Sequence, residues 1–347
     1  MNLDNSEEFK KLDPMGVEKA LALFPEQIKD SLKQASGADI PEIFTKSVIV
    51  SGMGGSSNAA KIIQGVFEDD LDFPFEVRND YGLPAWVNED TLVIANSYSG
   101  NTEETLSAID VASKIGSRVL GVTTGGKIGE MIKSKTIMGV IINPGDTNPT
   151  GFPKTGLGVS LGALTGALIK IGVLPIKREI ASSAIDNLVK IRDSWDVKDT
   201  AKWLYGSVPV LFGGKPLVGA LNAGRNAMCE ISRNFSQFYD FPEVNHVLIE
   251  ALQKPESVLK NKYLFFESGF NNERVRKRYE ITKGILNEMG LMSRTYLLKS
   301  DSAFGQALEL AHYSAWLGFY ISMLDGVDPG PEPWILKLKS SLSQPVH

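Results

Sequence analysis

Ser47-Val48-Ile49-Val50-Ser51-Gly52-Met53-Gly54-Gly55-Ser56-Ser57-Asn58 holds a strand, a turn and the start of a helix in one short stretch. The β-branched run Val48–Val50 reads as a buried strand, and the apolar period that begins at Asn58 and continues to Phe67 reads as a helix. Between them, glycines let the chain turn tightly and bring backbone N–H groups close to an anion. The loop lies one position away from the G-x-G-x-x-G dinucleotide fingerprint, with Ser57 where the last glycine belongs.

A second loop, Ser97-Tyr98-Ser99-Gly100-Asn101-Thr102, follows the apolar run Thr91–Ala95 and precedes a helical pattern over Glu103–Ile115. Backbone at Gly54 and Gly55 and the hydroxyls of Ser56, Ser97, Ser99 and Thr102 could together cradle one phosphate. Neither loop contains a lysine or arginine, which implies a neutral pocket for a small phosphorylated metabolite. Serine, spacer, serine, glycine, spacer, threonine at the end of a strand resembles the phosphate-binding pattern of the sugar isomerase (SIS) domain.

Outward from these loops, short strand-like runs recur at Phe75–Val77, Val119–Val122 and Ile137–Ile142, with helical segments between most of them. This alternation predicts an α/β fold with a parallel sheet flanked by helices, whose ligands bind beyond the carboxyl ends of the strands. The Pro/Gly-rich passage Pro144–Pro153 and the apolar stretch Leu157–Ile171 mark a crossing between domains. A second set follows, with strands at Val208–Phe212, Lys262–Phe266 and Thr295–Leu298 and helices near Ala220–Asn234, Glu273–Met289 and Ala303–Leu324. The expectation is two subdomains of one architecture, residues 1–155 and 156–347, with the phosphate site in the first, because Gly213-Gly214-Lys215 lacks the serine-rich loop.

The net charge of −5 over 347 residues, with signs interspersed, leaves no basic footprint for nucleic acid or an anionic membrane. Acids are scattered through the first residues, which carry no long apolar core, so the reading is a soluble cytoplasmic enzyme. The single cysteine, Cys229, excludes a disulfide framework or a cysteine-based metal cluster. With histidine only at 246, 312 and 347, a multi-histidine metal site is not expected.

Gly-Met-Gly-Gly-Ser at 52–56, Ser-Tyr-Ser-Gly-Asn-Thr-Glu-Glu-Thr at 97–105, Pro-Thr-Gly-Phe-Pro at 149–153, Phe-Pro-Glu-Val-Asn-His at 241–246 and Gly-Val-Asp-Pro at 326–329 occur in this order. In them the chain resembles the bifunctional phosphoglucose/phosphomannose isomerases, built from two SIS domains. The resemblance implies metal- and cofactor-independent aldose–ketose isomerisation of hexose 6-phosphates through a cis-enediolate. It makes Glu230, sixteen residues before His246, the proton-transfer base, with His246 and Lys339 opening the ring. Read from the residues alone, Glu230 is a surface acid paired with Arg233, and Lys337 competes with Lys339. His312, on an apolar helical face, reads as a packing residue.

Lys154 stands where the family has an arginine; it keeps the charge that would stabilise an enediolate but loses the planar fork. Ser232-Arg233-Asn234 and Gly330 also depart from the family pattern, Gly330 at a position where a hydroxyl would help hold a water. These departures bear more on mannose 6-phosphate than on glucose 6-phosphate activity. The resemblance further implies a homodimer in which the histidine reaches the partner's site. Two other readings use the same loops: a non-catalytic sugar-phosphate sensor, and a nicotinamide-dependent dehydrogenase with Glu76 on the ribose.

Overall fold

The structure, a computed structural model, describes residues 3–342. Five strands, β1 (Ser47–Ser51), β2 (Phe75–Arg78), β3 (Thr91–Ser97), β4 (Arg118–Thr123) and β5 (Met138–Ile141), form a parallel sheet of order β2-β1-β3-β4-β5. Four more, β6 (Val208–Gly214), β7 (Gln237–Phe241), β8 (Asn261–Glu267) and β9 (Ser293–Leu297), form a second parallel sheet of order β7-β6-β8-β9. Helices cover both faces, which is why Val48, Ile49, Val50, Leu92, Val93 and Ile94 are all fully buried. In each sheet the strand order reverses beside the first strand, and such a reversal opens a crevice at the carboxyl ends. The two serine-rich loops follow β1 and β3, on either side of that reversal.

The corresponding crevice of the second sheet, between β6 and β8, is occupied by the protein itself. Lys215 there forms ion pairs with Glu68 and Asp69 of the first half, and its carbonyl accepts from the Asn271 amide. Among the described residues the serine-rich loop pair occurs at one crevice, after β1 and β3.

One apolar core runs through both halves. Val48 and Ile94 of the first sheet and Leu264 and Phe266 of the second join it through helices Phe24–Ser36, Leu157–Lys170, Val218–Ala227 and Ala303–Asp325. Small residues bring these helices into backbone contact: a Cβ at Gly162 would lie 2.2 Å from the Ile28 carbonyl oxygen, and one at Gly219 would lie 2.0 Å from that of Lys61. Helix Leu157–Lys170 thus packs on Phe24–Ser36 and Gly54–Phe67.

Three differences from the expected elements matter for the site. The helix after β1 begins at Gly54, not Asn58, so Gly54–Ser57 form its first turn, with Gly54 at φ +52°. The segment expected as one helix to Asn234 is α-helical only to Ala227 and then widens into a π turn, Met228–Ser232. Strand β7 was not expected, because as an edge strand it is mostly half-buried and its residues Gln237 and Asp240 are polar. No helix among the described residues is long and apolar enough to cross a membrane.

Candidate active site

The site is built on two helices, each following the first strand of its sheet. Helix Gly54–Phe67 lies against helix Val218–Ala227, and the two run in opposite directions: Gly65 meets Pro216 and Asn58 meets Asn222 and Asn226. The beginning of the first helix, with its free N–H groups, is thereby set beside the end of the second, which leads directly into Glu230.

At the first helix end the two loops are bonded to each other. The Tyr98 N–H donates to Ser56 Oγ at 3.0 Å, and the Asn96 side-chain amide donates to the Ser56 carbonyl at 2.9 Å. Ser97 Oγ accepts the Gly100 N–H at 3.1 Å and is bonded to Thr102 Oγ1 at 2.8 Å, so this nearly inaccessible hydroxyl shapes the loop from within. Ser99 is exposed; its Oγ accepts from Asn101 N at 3.3 Å and its own proton is free to donate. Gly100 has φ +69°, and a Cβ there would fall 1.8 Å from the Gly125 carbonyl oxygen, so only glycine permits this turn. Helix Gly54–Phe67 has no acidic residue in its first turn and no side-chain cap. Its positive end is uncompensated, which favours an anion.

At the other end, Glu230 sits in the π turn, a distortion common at functional sites. Burial, and then the nearby charge of Glu332, push its pKa up to about 7, against the pull of Lys154, Arg225 and Lys339. The bland pairing of Glu230 with Arg233 does not form; the Arg233 guanidinium donates to the carbonyls of Asp328 and Pro331. Lys154 has a side chain only 2% exposed, and its Nζ donates to the Pro329 carbonyl at 2.8 Å and approaches the Glu230 carbonyl at 3.4 Å. Burial is also the main reason its pKa is lowered. Between the two ends lies a narrow cavity whose walls include Gly55, Asn58, Lys154, Asn226 and Glu230.

Residues 44–142 match the SIS domain, and residues 195–342 match the bacterial phospho-glucose isomerase C-terminal SIS domain. The chain is 29% identical over 311 residues to a bifunctional phosphoglucose/phosphomannose isomerase of Caldicellulosiruptor bescii, covering 86% of this chain and 89% of that one. It is a two-SIS-domain chain, similar over most of its length to bifunctional phosphoglucose/phosphomannose isomerases. A D-glucosamine-6-phosphate 4-epimerase of Sulfolobus acidocaldarius is also similar, 27% identical over 65% of this chain and 70% of its own. Among solved structures, the tagatose-6-phosphate ketose/aldose isomerase of Escherichia coli shares the fold, with TM-score 0.66 at 15% identity over 90% of this chain and 94% of that one.

The remaining residues that the family resemblance singles out are placed differently. Lys339 is exposed on helix Pro333–Leu342 yet close enough for its charge to lower the Glu230 pKa, whereas Lys337 Nζ lies over the Trp334 ring at 5.6 Å. His246 is exposed on the short helix Val244–Val247, has no side-chain hydrogen bond among the described residues, and is neither in the wall of the cavity nor among the charges that shift Glu230. Its neighbour Asn245 is held by hydrogen bonds with Thr282 and Arg278. His312 is fully buried, stacked on Phe24, with Nε2 at 2.8 Å from the Leu21 carbonyl oxygen, and burial lowers its pKa to about 3. Gly330 is buried against Met15, with its N–H donating to Asp328. Sequence reasoning did not single out Glu332, Arg225 or the asparagine cluster. Only their spacing relative to Glu230 and Gly219 could have signalled them.

Proposed function

We propose that the protein interconverts glucose 6-phosphate, and mannose 6-phosphate, with fructose 6-phosphate through a cis-enediolate. The observation that carries this reading is Glu230: a carboxyl whose pKa is near 7, lining a cavity that Gly55, in the first turn of the anion-favouring helix, also lines. A base of that pKa can take a proton at neutral pH and return it. Gly54, Gly55, Ser56, Ser99 and Thr102 hold the phosphate away from the reacting carbons, with Ser97 shaping their loop from within, so binding there fixes C1 and C2 against Glu230. Lys154 stabilises the enediolate charge, and Lys339 and His246 transfer protons in ring opening.

His246 serves a neighbouring copy's site in a homodimer. Its exposure supports this, as does the run of exposed apolar side chains Trp334, Leu336 and Leu338 on the C-terminal helix. The protein works in the cytoplasm on a free sugar phosphate, without a metal or cofactor. The test is purified protein with each hexose 6-phosphate in deuterated water. Isomerisation accompanied by deuterium entering C2 of glucose 6-phosphate is the expected result; no turnover and no exchange would exclude the reaction.

A further inference from the structure

We infer that Asn58 and Asn226 form an amide pair that reads the C4 hydroxyl of the substrate and so sets which stereoisomer the site accepts. This rests on the isomerase reading of the same site. Asn58 Oδ1 accepts from two amides, Asn222 Nδ2 at 2.7 Å and Asn226 Nδ2 at 2.9 Å, which occupies both of its lone pairs. Asn222 is in turn held by the Arg225 guanidinium, donating to its Oδ1 at 3.1 Å. The opposite ends of the pair, Asn58 Nδ2 and Asn226 Oδ1, have no protein partner among the described residues. Neither is sealed off from solvent, unlike the buried unpartnered atoms elsewhere in the chain. Asn58 and Asn226 both line the cavity; Asn222, which anchors them, does not.

Their place along the cavity assigns the hydroxyl. Asn58 lies one turn beyond Gly55 on the same helix, and Asn226 one turn before Glu230. A phosphate on C6 at the Gly55 end and C1–C2 at the Glu230 end leave the middle of the carbon chain against the two amides. One fixed donor and one fixed acceptor match a hydroxyl, which both gives and receives a hydrogen bond. A site with fixed polar partners rejects an epimer that leaves them unpaired. The network is anchored from both halves of the protein, so it cannot turn to suit the other epimer without breaking the bonds to Asn58 Oδ1.

The experiment compares fructose 6-phosphate with its C4 epimer, tagatose 6-phosphate, in two arms: kcat/KM for isomerisation and equilibrium binding by calorimetry. The unaltered protein should prefer fructose 6-phosphate in both. Asn226→Ala should narrow that preference by about 10-fold, the scale of a lost neutral hydrogen bond or two. Asn58→Asp keeps the acceptor for both amides but removes the donor that faces the cavity, and should narrow the preference as well. Ser99→Ala should weaken both ketoses and leave their ratio unchanged. An unaltered ratio in Asn226→Ala and Asn58→Asp, with melting temperatures showing folded protein, would overturn the assignment. So would a starting protein with no preference, or a ratio that Ser99→Ala narrows equally. If the unaltered protein isomerises neither ketose, the isomerase reading fails on its own, and the binding arm still decides the amide pair.

Discussion

Lys154 Nζ lies 3.5 Å from Glu332 Oε1, and both groups act on the pKa of Glu230 in opposite senses. Glu332 raises it and Lys154 lowers it. Glu332→Gln should therefore move the acid limb of the kcat/KM profile to lower pH, and Lys154→Met should move it to higher pH. Because kcat/KM reports the free enzyme, the two profiles measure the charges around the empty site. Shifts in the same direction would show that the limb belongs to another group.

Glu230→Gln removes the base while keeping its size, so kcat should fall by about 10²–10⁴-fold and C2 exchange should fall with it. The same change reports on stability. The folded protein holds the Glu230 proton more tightly than the unfolded chain, whose carboxyl has the ordinary value of 4.5, so ionising it costs stability as pH rises from there through about 7. Glu230→Gln should thus gain on the order of 2 kcal/mol relative to the unaltered protein between pH 5 and pH 8, measured by urea unfolding.

Ser99 offers a free hydroxyl proton at the loop surface. A hydrogen bond from it to the substrate phosphate would be present in ground and transition states alike, so Ser99→Ala should raise KM for fructose 6-phosphate with kcat little changed. Equal KM values would remove Ser99 from the cradle.

Among the described residues no group of three or more His, Cys, Asp or Glu side chains converges as a metal site would require. Activity should survive EDTA. Loss that zinc or manganese restores would place the reaction in another mechanistic class.

If His246 completes a neighbouring copy's site, mixing Glu230→Gln with His246→Ala protein after dissociation should regenerate sites with both residues intact. Up to about a quarter of the activity should return, since half the chains form mixed pairs and each pair has one whole site. No recovery, in a mixture shown to exchange subunits, would assign His246 to its own chain.

The first half of the fold was legible because its strands are short, apolar and bounded by loops. β1 spans Ser47–Ser51 and its later neighbour helix Glu103–Ile115, both as the period predicts. The helices Ser6–Leu12, Val17–Ala22 and Phe24–Ser36 were not foreseen, because the acids and lysines on their outer faces obscure the pattern. Nor does local period show that Gly158, Gly162 and Gly166 form a seam; that depends on a partner helix more than a hundred residues away. For the site, spacing to His246 selected Glu230, but its raised pKa comes from burial and from Glu332, which meet it only through folding. The asparagine cluster escaped for a related reason. Asparagine in a helix ordinarily faces water, and only the close approach at Gly219 turns Asn222 and Asn226 inward toward Asn58.

Because helices Gly54–Phe67 and Val218–Ala227 are locked in opposed directions by backbone contact at Gly219 and Gly65, their offset is fixed. The distance from anion cradle to base is then a property of the scaffold, not of a mobile loop. Where that cradle holds the phosphate and Glu230 is the base, the fixed span selects by carbon number: a sugar phosphate one carbon shorter should turn over more slowly than a hexose 6-phosphate, which kcat/KM for each measures.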